Sequence, residues 1–239
     1  MTLATDLRTG TDSLVILAER NLEAFWAQVA VYEAAAYAGD LAARQTLTQA
    51  LHDVLPGLVG PFQEAAVALA AELYDLARER LDIPGTFRAP GIEIPDGGHA
   101  LAGWALKEAA DSEGLRGLIK GGLTKRIMQA GNRTVTSAAT ADPAADGWQR
   151  VARAKACPFC RFLAGRGDVY SQASVTFASH DHCHCVATVA WSGRPRPVRL
   201  DAEGRRLDRS TRATRTDDEL READNERIRE WIAAHPDAG

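Results

Sequence analysis

The sequence predicts a mainly α protein: a helical N-terminal region, a small α/β module built around cysteine and histidine, and an extended arginine-rich tail with a terminal helix. Three observations carry that expectation. Apolar residues recur at three- and four-residue spacing through most of the first 140 positions, the period that lines one face of a helix. All four cysteines fall between Cys157 and Cys185. Beyond Trp191, a stretch with little apolar content and many arginines runs from Arg194 to Arg215. The implied boundaries are 1–140, 141–192 and 193–239.

Taking the elements in order, Asp12 reads as an N-cap, and Leu14, Leu17, Ala18, Leu22, Phe25 and Val29 follow on one helical face until Gly39. Asp40 can cap a second helix to about Leu55, with Leu41, Leu47, Leu51 and Val54 among its apolar positions. Gly60-Pro61 opens a third, marked by Phe62, Ala66, Leu69, Leu73 and Leu76 and closed by Pro84-Gly85. The prolines and glycines from Ile83 to Gly98 read as a linker or long loop. Helical spacing returns with Leu101, Trp104 and Ala105, then with Leu115, Leu118, Ile119, Leu123 and Ile127, and Asn132 is a candidate cap for a short further helix. Gly117, Gly121 and Gly122 each cost about 1 kcal/mol relative to alanine, so they either permit close helix packing or mark a break. Helical character stops at Asp142-Pro143, and no strand pattern shows between there and Ala156. A last helix is expected from Asp217 to about Ala234, with Leu220, Ile228, Trp231 and Ile232 as its core positions.

Hydrophobic residues make up 46% of the 239 and charged residues 25%, the balance of an ordinary soluble protein rather than a disordered or membrane one. No run approaches the roughly 18 apolar residues of a spanning helix. The N-terminus shows no basic-then-apolar leader, so synthesis in the cytoplasm without export by a signal peptide is expected. In that reducing setting, clustered cysteines are better metal ligands than disulfide partners. The net charge of −4 conceals a partition: residues 1–150 carry 13 basic and 19 acidic groups, residues 186–215 eight against three, and residues 216–239 three against eight. A basic stretch between acidic ones suggests contact with nucleic acid or with an acidic protein surface.

Cys157-Pro158-Phe159-Cys160 offers two thiolates at the spacing that lets both face one ion. About twenty residues later, His180-Asp181-His182-Cys183-His184-Cys185 offers two more thiolates and three imidazoles, closing a small loop suited to tetrahedral Zn2+. Residues 141–192 therefore read as a zinc-knuckle module with Cys157, Cys160, His180, Cys183 and Cys185 as candidate ligands. If 180–185 is extended, Cys183 and Cys185 share one face, with the histidines on the other, and a four-cysteine site follows. If it turns, His180 and Cys183 pair like the first two cysteines, and a three-cysteine, one-histidine site that includes Cys185 is equally natural. Small buried cysteines with surface histidines are the plain alternative, but four cysteines confined to 29 positions argue against it. A redox dithiol would follow a strand of a mixed sheet. A zinc deaminase would need His-x-Glu upstream of Pro-Cys-x-x-Cys, yet Ala156 precedes Cys157 and His99 is followed by Ala100-Leu101. A catalytic zinc wants an open position and a base, and the nearby carboxylates are Asp168 and Asp181, so the sulfur-rich set favours a closed structural site.

The run Gly147-Trp148-Gln149-Arg150-Val151, then Ala156-Cys157-Pro158-Phe159-Cys160-Arg161-Phe162-Leu163-Ala164-Gly165-Arg166-Gly167-Asp168-Val169-Tyr170, together with His180-x-x-Cys183-x-Cys185, resembles the C-terminal module of the Mu F-like minor head proteins of tailed phages, in their actinobacteriophage form. The likeness covers about residues 147–191, and the Ala-rich helical region upstream is similar in character. The resemblance implies a low-copy virion component in the phage head interior or at the portal vertex, made in the host cytoplasm. It would associate with the portal protein and other head proteins during head morphogenesis and serve DNA packaging or ejection. Some relatives are regarded as capsid maturation proteases, but this chain has neither Gly-x-Ser-x-Gly nor His-Glu-x-x-His.

The leading expectation is thus a non-enzymatic assembly protein, present in several copies per virion and not bound to membrane, with zinc supplying folding energy to a module too small to hold itself together. Arg194, Arg196, Arg199, Arg205, Arg206 and Arg209, with Arg212 and Arg215 beyond them, are candidate contacts to packaged DNA or to a partner, although Asp201, Glu203 and Asp208 dilute their charge. The alternatives are a metal-dependent hydrolase of the phage head, protease or nuclease, with His182 or His184 as base, and a free cellular DNA-binding zinc protein.

Overall fold

A computed structural model describes residues 2–154, 156–165, 177 and 181–191, together with single positions 226, 230 and 233. The candidate ligand His180 and the arginines from Arg194 to Arg215 lie outside the described residues. Of the expected terminal helix, Glu226, Glu230 and Ala233 are described, and all three are helical and exposed.

The protein is mainly α, as its periodicity predicts. Helix α1 spans Leu3–Tyr37. It starts ten residues earlier than an Asp12 cap implies, because Thr2 is the cap: its hydroxyl accepts the amide of Thr5 at 3.3 Å, and Leu3, Leu7, Thr11 and Val15 extend the buried stripe toward the N-terminus. Asp12 is therefore free for another task, and Leu17, expected in the core, is about half exposed. Gly39 takes a left-handed φ of 99°, and Asp40 then caps α2 by accepting the amides of Ala42 and Ala43.

Helix α2, Leu41–Arg80, is one helix where two were expected. Pro56 and Pro61 lie inside it, each forgoing a helical hydrogen bond at a cost of about 3 kcal/mol. Burial on both sides of them outweighs that loss, since Leu51, Leu55, Leu58, Val59 and Ala66 all sit in the core. In length and composition α2 could cross a membrane, but its apolar side is the one packed against α1, α3 and α4.

Residues 83–97 carry no regular element, as the linker reading requires, and Phe87 and Ala89 tie them back to α2 through Tyr74 and Asp75. Helix α3, Gly98–Glu108, rests on the proline bend of α2, where a Cβ on Gly98 would come within 2.4 Å of the Pro56 nitrogen. Helix α4, Ser112–Ala141, is capped by Asp111 and runs unbroken through Gly117, Gly121, Gly122 and Asn132. Two of the three glycines serve close packing: a Cβ at Gly121 would meet the His182 ring at 2.7 Å, and one at Gly122 would meet Leu101 at 2.3 Å. Asn132 caps nothing; it is buried in mid-helix.

A strand does precede the first cysteine pair, contrary to expectation. Gly147–Val151 forms β1 and Val186–Ala190 forms β2, an antiparallel ribbon in which Trp148 faces Val189 and Arg150 faces Ala187. Its short length and mixed polarity hide it from pattern reading, and it pairs only with residues 35 or more positions away. Between the strands lies the one-turn-plus helix α5, Pro158–Ala164. The ribbon packs on α4 and α1, and its residues continue the helical core rather than forming a separate one.

Candidate metal centre

The site is assembled by tethers from the helical body. At the end of β1, Arg8 of α1 donates to the carbonyls of Val151 and Ala152. At the start of β2, Asn132 of α4 makes a two-sided clamp: its amide nitrogen donates to the Cys185 carbonyl at 3.0 Å, and its oxygen accepts the Ala187 amide at 2.7 Å. Asp142, just past α4, closes the far end, accepting from Tyr74, Arg78 and the Trp191 indole within a buried knot. Burial and that carboxylate push the Tyr74 hydroxyl far above the ordinary tyrosine range.

Between these anchors the sulfurs converge. Cys157 caps α5, its sulfur accepting the Cys160 amide at 3.4 Å, and Pro158 occupies the first helical turn. Cys160 points inward and is buried. The chain turns at Asp181 and His182 before entering the cysteine pair: Asp181 pairs with Lys125 of α4 at 3.4 Å, His184 meets Asp12 of α1 at 2.6 Å, and the Cys183 and Cys185 sulfurs gather at Cys160. His182, at a left-handed φ of 58°, lies against Gly121.

The sulfurs of Cys160, Cys183 and Cys185 all lie within 4.8 Å of one another, with Cys160 and Cys183 separated by 3.7 Å. All three are buried, and none of the four cysteines is in a disulfide. They are positioned to hold a metal ion. Cys157 does not belong to this mutually close trio, and neither His182 nor His184 does. Hydrogen bonding to Cys183 and Cys185, reinforced by burial, pushes the Cys160 thiol up, whereas the same contacts seen from Cys185, with the Arg153 backbone and the Arg150 charge, hold Cys185 down.

Sequence reading missed four participants. Arg150 is buried with a guanidinium nitrogen 3.7 Å from the Cys160 sulfur, and its cation lies 3.7 Å from the centroid of the Phe177 ring. The alternation of Trp148 and Arg150 ahead of the cysteine pair was the available signal. Asn132, Asp12 and Asp142 had none, because their partners lie 53 or more, 172, and 49 or more positions away in sequence, respectively.

Comparison with known proteins adds one finding. No curated protein and no solved structure matches the chain. The profile of the VG15 protein family matches residues 2–213, which takes in the whole helical body and the cysteine module and reaches into the arginine-rich segment. With most of its length so covered, the chain belongs to the VG15 protein family, a viral (phage) protein family.

Proposed function

We propose that this chain is a bacteriophage minor head protein of the Mu F-like kind, held at the portal vertex or head interior and acting in head morphogenesis and in DNA packaging or ejection. The carrying observation is membership of a phage protein family together with the cysteine and histidine pattern over residues 147–191. In this reading α1, α2 and α4 make the protein contacts, with the portal protein among the partners, and Zn2+ staples the ribbon and α5. The arginines from Arg194 onward rest on packaged DNA or on an acidic partner.

The donor chemistry supports zinc. Thiolates about 2.3 Å from a tetrahedral zinc lie about 3.8 Å apart, close to the 3.7 Å between Cys160 and Cys183. Cys160, Cys183 and Cys185 supply three ligands, and Cys157 or His180 is the fourth. Bound zinc would supply folding energy to a segment with little core of its own. The test is mass spectrometry of purified virions and co-purification with co-expressed portal rings. The protein should be found in virions and on rings; absence from both would remove the reading.

One observation favours a hydrolytic second reading: the His184–Asp12 pair is a carboxylate-oriented imidazole next in sequence to two metal-facing sulfurs. That reading predicts that His184→Ala leaves assembly intact and abolishes cleavage of head protein or DNA. The structural reading predicts no such cleavage in either form.

A further inference from the structure

Arg150 is a permanently charged group at 3% exposure, and burying such a charge is costly unless something nearby answers it. Two of its contacts bear on the sulfurs. The Phe177 ring covers one side of the guanidinium at 3.7 Å, and the Cys160 sulfur receives one of its N–H groups at 3.7 Å. Trp148, two residues earlier on the same face of β1, also packs against the Phe177 ring, with centroids 5.9 Å apart.

The charge balance of a thiolate site explains why a cation belongs there. Four thiolates around a divalent ion leave a net charge of −2, and three with a neutral imidazole leave −1. Either excess would sit among buried sulfurs, where water does little to spread it. A guanidinium beside Cys160 offsets that excess and also orients the sulfur through an N–H···S bond, the kind of outer contact that tunes metal ligands. Lysine lacks the planar fork needed to stack on a ring and donate sideways at once.

We propose that Arg150 is the counter-cation of the thiolate cluster, a positioning residue that sets how tightly the three cysteines hold their metal. The inference rests on the metal reading above. The test is zinc affinity of the full-length chain by competition with a colorimetric chelator, with far-UV circular dichroism as the check on the helices. R150Q should bind zinc about 10–100-fold more weakly than the wild type with its helical signal unchanged, and R150K should fall between the two. Equal affinity in R150Q and wild type would overturn the proposal, as would R150K binding no better than R150Q. If R150Q does not fold, cobalt-loaded R150K decides: a shifted sulfur-to-cobalt charge-transfer band supports the N–H···S contact, and an unshifted one overturns it. Wild-type chain that takes up neither zinc nor cobalt would defeat the metal reading itself, an outcome distinct from wild-type uptake with an indifferent R150Q.

Discussion

Helix α2 and the cysteine ribbon are held by different balances of burial and polar contact. Along α2, two internal prolines are absorbed because many apolar side chains on either side are buried against three other helices. Around the sulfurs, a seven-residue helix and two five-residue strands bury a short set of side chains, Trp148, Val186, Ala187 and Val189 among them, and add a few individual ties: Arg8, Asn132, Asp12, Lys125 and the Asp142 knot. Redundant burial tolerates a local fault. The ribbon buries far fewer side chains to share such a fault, which is why it is where a bound metal would matter most.

The largest effect should come from the sulfurs. Cys160→Ser, or chelation of the wild type, should expose residues 147–191 to limited proteolysis while the far-UV helical signal persists, since structural zinc supplies on the order of 10 kcal/mol to small modules. Equal protease resistance with and without metal would mean that the helical body alone holds the ribbon. On the other side of the comparison, Leu55→Ala in α2 should cost about 2–5 kcal/mol in denaturant unfolding, spread over one cooperative transition and leaving zinc content unchanged. Loss of zinc in that variant would show that body and ribbon are not separately held.

Asn132→Ala tests a single tie. Both Cys185 carbonyl and Ala187 amide would lose a buried partner, for a cost of about 2–3 kcal/mol and faster hydrogen exchange at Ala187. Unchanged exchange there would assign the clamp no role. A smaller effect is expected from Glu33, buried in the body and bound by Arg116 and Ser112. Burial raises its carboxyl, but hydrogen bonds from Arg116 and Ser112 and the Arg116 charge more than reverse that, so its pKa in the folded protein is lowered. The folded state therefore binds this proton less readily than the unfolded state does. The stabilisation is complete above the ordinary carboxylate value of about 4.3 and is lost as pH falls through the lower folded value. Glu33→Gln should cost about 1–2 kcal/mol at neutral pH, discounted for water around the partly exposed Arg116, and should flatten the acid limb of the stability curve. An acid limb identical in both proteins would point to other carboxylates.

Much of this was legible in order of residues. Helical spacing, the Asp40 cap, Gly39 and the stop at Asp142-Pro143 are local chemistry, decided within a turn or two of backbone. The errors share one cause. Pro56 and Pro61 looked like a boundary, Asn132 and Asp12 looked like caps, and β1 looked like nothing, because each judgement weighed a residue against its neighbours alone. Burial against α1, α3 and α4 carries α2 through its prolines. Thr2 takes the capping role from Asp12, which turns to His184 instead.

By itself, then, the sequence determined that the chain is mainly helical over its first 140 residues and that four cysteines are gathered at metal-ligand spacing, since periodicity and spacing are properties of nearby residues. Only the tertiary structure decided which sulfurs meet, that Arg150 lies beside them, and that Asn132 and Asp12 hold the segment that carries two of them. Those contacts join positions far apart in the chain, and their energies exist only once packing has brought the elements together.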